Sequence, residues 1–319
     1  MKNLLRKISL FAGILMMVSG AAFAQQEAMY SQYMFNGLVL NPAYAGSHEG
    51  LSVAALYRNQ WVGVEGAPVS QSLSVHAPLK KDNVALGLSI VNDRIGVTNT
   101  LSMNGIYAFR IEMESGVLSM GLQAGLARLQ ADYTKVALNP QGAPDVQFSE
   151  VQNYLMFNFG NGVYYYSDKF YAGVSSPNLF RTRLAGGDFR SKTTGEEEEG
   201  SLPQHARHFF LSTGYTFNLS EHVQVKPSTL IKVAQGAPVQ FDINTNVWLN
   251  DFFGVGASYR SNNTLIGLAE VKVGKQFRVG YAYDHSVSDI SQYTANTHEV
   301  MLRFDMLPRA KGEVPEKLY

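Results

Sequence analysis

Between Leu51 and Met306 the chain breaks into segments of about ten residues in which apolar side chains alternate with small or polar ones, a period that suits strands crossing a membrane. Val69, Gln71, Leu73 and Val75 alternate with Ser70, Ser72, Ser74 and His76. Val84, Leu86, Leu88 and Ile90 oppose Ala85, Gly87 and Ser89, and Leu118, Met120, Leu122, Ala124 and Leu126 oppose Ser119, Gly121, Gln123 and Gly125. The pattern returns at Phe209 to Phe217, at Val239 to Leu249 with Gln240, Asp242, Asn244 and Asn246 opposite, and at Phe253 to Tyr259 opposite Gly254 to Arg260. Near the end, Phe277, Val279, Tyr281 and Tyr283 oppose Arg278, Gly280 and Asp284, while Val300, Leu302, Phe304 and Met306 oppose Glu299, Met301, Arg303 and Asp305.

With the weaker segments included, the count is about fourteen antiparallel strands, an even number as single-chain bacterial barrels require. The expected starts are Leu51, Val69, Asn83, Thr98, Gly116, Asn153, Lys169, His205, His222, Pro238, Phe252, Thr264, Gln276 and Thr297. With a periplasmic amino terminus, the turns after even strands are the short ones, as at Ser167-Asp168, Asn250-Asp251 and Gly274-Lys275. The long connections, Asp132 to Gln152 and Ser176 to Gln204, both follow odd strands and fall on the outer side.

A soluble sandwich or lipocalin-like barrel would turn the same apolar face inward and its polar face to water. Here the polar faces are mostly Gly, Ser, Ala and Asn with isolated charges, and aromatic residues such as Phe109, Tyr215, Phe217, Tyr281 and Tyr283 fall where interface girdles would lie. An Arg on the lipid face at the midplane costs about 2–4 kcal/mol. Asp242, Arg260, Glu270, Lys272, Arg278, Arg303 and Asp305 must therefore face the lumen, and all seven stand opposite the apolar set. The fold class expected is all-β, a transmembrane outer-membrane barrel.

Ahead of the strands lies a stretch of another kind, Glu27 to Ser47, rich in Tyr, Phe, Met and Asn. The spacing of Met29, Tyr30, Tyr33, Met34 and Leu38 predicts a short helix with one packed face. Pro42 turns Asn41 away from the α region, and Gly46 offers a turn. A barrel of this size is wider inside than its own side chains fill. Residues 25–50 are accordingly expected as a plug in the lumen or across the periplasmic mouth, with Asn36 and Asn41 reaching charged wall residues; a loose periplasmic tail is the alternative.

Residues 1–24 carry Lys2, Arg6 and Lys7, an apolar run from Ile8 to Val18, and Ala22-Phe23-Ala24, the three regions of a cleaved signal peptide. The expected division is leader 1–24, plug 25–50, barrel 51–307 and tail 308–319.

Composition sharpens this. The chain has 29 Gly, 17 Tyr and 18 Phe, and no Cys, which excludes both disulfides and a lipid-anchored lipoprotein. Its 26 basic and 26 acidic residues balance at a formal net charge of +0, giving no reason to expect nucleic acid as a partner.

Candidate chemistry is thin. His205, Arg207 and His208 follow the acidic run Glu196 to Glu199, but residues three apart on a strand face opposite sides and no metal site is expected. Asp284-His285-Ser286 with His298-Glu299 could supply a serine, histidine and acid, yet no nucleophile elbow accompanies them, so no catalytic set and no cofactor is expected. Pro140 to Pro144, Gly186-Gly187 and Lys80 to Asn83 read as ordinary loop turns.

Two blocks of the opening stretch, YSQYMFN at Tyr30–Asn36 and LNPAYAG at Leu40–Gly46, resemble the amino-terminal signature of the PorP/SprF family of Bacteroidota outer-membrane proteins. The resemblance continues through Tyr57 to Trp61 with Gly66-Ala67-Pro68, Asn92 to Gly96, Tyr171 to Ser175 with Pro177-Asn178-Leu179, Lys226-Pro227-Ser228, Gly280 to Asp284 and His298 to Leu302. The Glu-rich loop and the Lys311 to Tyr319 tail carry no such block.

That resemblance implies a non-enzymatic component of type IX secretion and gliding machinery, in the outer membrane. The implied partners are periplasmic ring and peptidoglycan-binding components and a secreted adhesin with a C-terminal sorting domain. Tyr30, Gln32, Tyr33, Phe35, Asn36, Asn41, Pro42, Tyr44 and Gly46 are the expected plug or partner-binding residues, presenting a periplasmic face from Met29 to Gly46. Arg58, Asn59, Gln60 and Trp61 are expected at the outer mouth, closing it or touching cargo, with Trp61 equally suited to the interface belt. A transport barrel for small apolar solutes, with the amino-terminal segment as a hatch, is the alternative function.

Overall fold

The computed structural model describes residues 29–79, 83–135, 151–185, 207–287 and 296–306. The leader 1–24, the acidic run Glu196–Glu199, His205, Pro140–Pro144, Gly186-Gly187, Lys80–Asp82 and the tail beyond Met306 lie outside them.

The strands are β1 (Ser52–Asn59), β2 (Val69–Pro78), β3 (Val84–Ile95), β4 (Thr98–Met113), β5 (Gly116–Asp132), β6 (Val151–Tyr166), β7 (Phe170–Ala185) and β8 (His208–Tyr215). There follow β9 (Phe217–Asn218), β10 (Val223–Ala234), β11 (Gln240–Leu249), β12 (Phe253–Arg260), β13 (Thr264–Val273), β14 (Phe277–Ser286) and β15 (Thr297–Asp305). Apart from β8 and β9, each pairs antiparallel with its neighbour in sequence, β10 with β11 included, and β1 pairs with β15 to close the ring. Both β8 and β9 pair with β10 and are two parts of one span, so the barrel has fourteen strands.

Closure satisfies every edge, which is what permits strands to cross lipid. Among the described residues no helix is long and apolar enough to cross a membrane. Along β5, Met120, Leu122 and Leu126 are exposed on the outer surface while Ser119, Gly121 and Gln123 are buried on the inner one. Along β11, Phe241, Ile243 and Leu249 face out, and Asp242, Asn244, Asn246 and Trp248 face in. The outside is thus an apolar belt, and the polar set lines a lumen.

One rim carries short turns. At Asn250-Asp251 both residues have φ of 51°, the left-handed pair of a tight hairpin turn. The opposite rim carries the longer connections and the extra length of β4 to β7. The chain that was expected to leave the barrel at Ser176 instead continues as β7 to Ala185. Pro177, which has no N–H to donate, is accommodated by a register shift in the β6–β7 pairing between Phe159 and Asn161.

Candidate functional site

The segment from Met29 to Gly50 lies inside this ring and touches it on nearly every side. Tyr30 packs with Leu56 and Met301, Tyr33 with Phe210 and Leu230, and Leu38 with Ala85, Ile106 and Ala108. These contacts go to different walls, and they explain why the expected one-faced helix over Met29 to Leu38 does not form. Only Gly37–Leu40 is α-helical, a single turn, and residues 31–35 are turns. A helix would aim its apolar residues one way, whereas the lumen demands them in several directions. After it, Asn41 is extended and its side-chain oxygen accepts the Ala43 N–H at 2.9 Å, starting a 3-10 turn over Pro42–Tyr44.

Glycines in the wall make room for the backbone of this segment. A Cβ on Gly121 would stand 2.2 Å from the Ala43 nitrogen, and one on Gly280 would stand 2.1 Å from the Gln32 side-chain oxygen. Gly162 is equally constrained, because Asn41 occupies the place of its side chain. The Asn41 amide donates to the Val163 carbonyl at 3.1 Å, and Ser175 donates to the Leu40 carbonyl at 2.7 Å.

Two polar seats fix the ends. Toward the long-loop rim, the Ser31 and Gln32 N–H groups donate to the two oxygens of Glu299 at 2.9 and 2.8 Å. The Ser31 hydroxyl donates to Asp284 at 2.8 Å, and Arg58 reaches Ser31, Glu299 and Asp284 at 2.9, 3.0 and 2.8 Å. Arg260 extends the cluster, 2.8 Å from Asp242 and 3.6 Å from Asp284. Two guanidinium groups thus meet three buried carboxylates, and the excess negative charge is met by donors from the segment. A buried carboxylate left without such donors is strongly unfavourable.

Toward the short-turn rim, the Tyr44 ring meets His48, His76 and Tyr164 edge-on at 5.5 to 5.8 Å. The Gly46 N–H donates to His76 Nδ1 at 3.1 Å, and Arg110 donates to the Gly46 carbonyl. Gly46 has φ of 74°, and a Cβ there would strike Ala85. Arg303 donates to His48 Nε2 and to the Phe35 carbonyl, the latter at 3.1 Å. Burial, then the Arg303 guanidinium and His76, hold His48 well below the usual imidazole pKa, so it accepts as the neutral ring.

Several expected placements change. Asn36 and Asn41 do not reach wall charges: Asn36 donates to the Ser72 hydroxyl at 3.2 Å and Asn41 to backbone. The charges are reached by Ser31 and Gln32 instead. Met29 to Gly46 presents no open periplasmic face, since Tyr30, Gln32, Tyr33, Asn36, Asn41, Pro42 and Gly46 are all buried within the lumen, with Phe35 and Tyr44 half-buried. Arg58 does not stand at the outer mouth, because on β1 it alternates inward and is consumed by its ion pairs. Asn59 and Gln60 are half-buried, and Trp61 is exposed with φ of 50°.

The other charges expected to face the lumen pair locally, Glu270 with Arg278 at 3.6 Å, Arg303 with Asp305 at 3.0 Å, and Lys272 with Asp251. Ser31, Asp284 and Glu299 were the residues missed as a set. The alternation placed both carboxylates inward, but nothing local marks Ser31. Asp284 and Glu299 face the lumen while His285 faces out and His298 bonds Tyr281 on the outer surface, so these residues assemble no triad. Among the described residues no cluster could hold a metal.

Among the described residues, cavities remain beside the segment. One of about 320 Å³ lies toward the short-turn rim, among Tyr33, Tyr164, Tyr171, Lys226, Trp248 and Arg278. Another of about 400 Å³ lies toward the long-loop rim, among Tyr30, Val91, Asp93, Thr98, Asn178 and Phe210.

The family model described as type IX secretion system membrane protein PorP/SprF matches residues 22–304. No curated protein sequence matches the chain. Among solved structures, the chain is similar to the Acinetobacter baumannii outer membrane protein Omp33, at 10% identity and a TM-score of 0.45, covering 82% of this chain and 100% of that one. It is also similar to the Pseudomonas putida toluene transporter TodX, at 12% identity and a TM-score of 0.41, covering 89% and 94%. The CymD monoaromatic hydrocarbon channel matches at 12% identity and a TM-score of 0.45, covering 89% and 93%.

Proposed function

The chain belongs to the type IX secretion system membrane protein PorP/SprF family, and we propose that this outer-membrane barrel acts as a binding component of that machinery, supporting export or surface attachment of a partner adhesin. The observation that carries the reading is the occupied lumen. A chain clamped at Ser31–Gln32 and at Tyr44–His48 leaves the barrel as a rigid frame rather than a conduit. In this reading the short-turn rim is periplasmic and offers its hairpin turns to ring or peptidoglycan-binding components. The long-loop rim offers the exposed side chains of Trp61, Val62 and Val64 to cargo. No step of catalysis is assigned to it.

The test is co-purification. A tagged chain extracted from outer membranes should bring periplasmic secretion components with it. At equal barrel level, Trp61→Ala should reduce surface display of the adhesin; normal display would place Trp61 in the interface belt instead. Absence of every periplasmic component from the purified barrel would overturn the reading.

A second reading, a transport barrel for small apolar solutes with the segment as hatch, is favoured by the two cavities on either side of the segment. It predicts solute uptake or conductance that depends on Met29 to Gly46.

A further inference from the structure

The cavity toward the short-turn rim has a chemistry that the secretion role does not require. Its floor is Trp248, an inward-facing residue that is 1% exposed. The ring lies against β12 because Gly254 leaves it room: a Cβ there would stand 2.8 Å from Trp248 Cε2. Two cations from separate strands converge on that ring, Lys226 of β10 at 5.3 Å and Arg278 of β14 at 5.1 Å from its centroid. Each gains from the ring face. Together they also repel, in a lumen where charges are poorly screened.

The carboxylates nearby do not balance them. Glu270 stands 3.6 Å from Arg278, Asp305 is taken by Arg303, and Asp251 by Lys272 on the turn. Lys226 makes no ion pair among the described residues. One positive charge is therefore in excess over an aromatic floor, and the walls beside it are Tyr164, Tyr171, Phe210 and Met34. Phosphate or sulfate would leave those walls unused. A carboxylate carried on an apolar stem uses both.

We propose that this cavity binds a carboxylate on an aromatic or aliphatic stem, with the anion between Lys226 and Arg278 and the stem along the tyrosines. About 320 Å³ accommodates the last one or two residues of a peptide or a free aromatic acid. The inference goes beyond the secretion role and can fail without affecting it.

The chain contains two tryptophans, so Trp61→Phe leaves Trp248 as the reporter. The mature full-length protein in detergent would be titrated with 3-phenylpropionate and with N-acetyl-Leu-Phe, each against its amide, and with acetate. A saturable change in Trp248 emission is expected for the acids, with the amides and acetate about tenfold weaker or more. Lys226→Met should weaken the acids by about tenfold while the folded barrel still migrates as such on unheated gels. If Arg278→Met fails to fold because Glu270 is left unpaired, the double variant Glu270→Gln with Arg278→Met takes its place. Preference for the dipeptide identifies a chain terminus as the source, and preference for phenylpropionate a free acid; both support the site. Equal binding of acids and amides, acetate binding as tightly as either acid, no saturable change with any probe, or acid binding untouched by Lys226→Met would each overturn it.

Discussion

Arg58 and Glu299 stand directly opposite each other across the β1–β15 seam, 3.0 Å apart, at the place where the ring is closed. The same Glu299 accepts the N–H groups of Ser31 and Gln32. Closure of the barrel and seating of the segment therefore share one carboxylate. Replacing it with Ala should leave Arg58 short of a partner and two buried N–H groups without an acceptor. Breaking a buried pair in this way costs about 3–5 kcal/mol. Glu299→Gln keeps one acceptor and should cost less. Urea unfolding of the refolded barrel in lipid, followed by unheated-gel mobility, gives the order: wild type, Gln, Ala. An Ala variant as stable as wild type would remove the seat from the account.

The wall glycines predict a contrast between neighbours in kind. Gly121→Ala would drive a methyl group into the Ala43 backbone, where neither side can yield without moving a chain. Gly267→Ala faces outward with nothing within 4 Å and should be neutral. Limited proteolysis of the intact barrel should therefore cut within 29–50 in the Gly121 variant and not in the Gly267 variant. Equal protection in both would mean that the segment does not depend on that contact.

The strand faces were legible because one physical rule, no charge toward lipid, acts on every span and leaves the same two-residue period. Asp242, Arg260, Glu270 and Arg303 could be turned inward from pattern alone. The segment was legible only as aromatic and in need of a surface. Its conformation was not, because Tyr30, Tyr33 and Leu38 are separated by helical spacings yet are drawn to different walls, and tertiary contacts outweigh a weak local preference. Arg58 was misplaced for a related reason. Sitting next to the loop, it read as mouth, although the alternation along Ser52–Asn59 already turned it inward. Ser31 could not have been found without knowing that Asp284 and Glu299 lie beside it.

The outer belt gives a depth-dependent prediction. Leu122, exposed on β5 well inside the span, should cost about 2–4 kcal/mol as Leu122→Arg, whereas Phe217→Arg beside the short-turn rim should cost about 1 kcal/mol or less. Measured in the same lipid, the folded fraction in urea should separate the two clearly. A rim substitution as damaging as the central one would put the belt elsewhere on the surface.

Acid should loosen the rim-side seat before it touches the surface turns. His48 faces Tyr44, His76, Arg303, Asp305 and Arg278, and burial with the neighbouring cations keeps it neutral in the folded chain. Its folded pKa lies below the value of about 6.5 it has when released. Its contribution is therefore complete above that value and is lost as pH falls from there toward the folded pKa, where protonation would set a cation against Arg303. Asp251 follows the same sign in another window. Burial alone would raise it, but Lys272 and then Arg278 more than offset this and hold it below the usual carboxylate value, so its share is lost only in stronger acid. Hydrogen exchange at Tyr44–Gly50, taken relative to the intrinsic rate of the unprotected amides at each pH, should accordingly rise as pH falls from about 7 to 5. In His48→Gln, which can still accept from Arg303 and does not titrate, that rise should shrink while the low-pH change at the Asn250-Asp251 turn remains. A rise of the same size in the Gln variant would assign it to another group facing this seat.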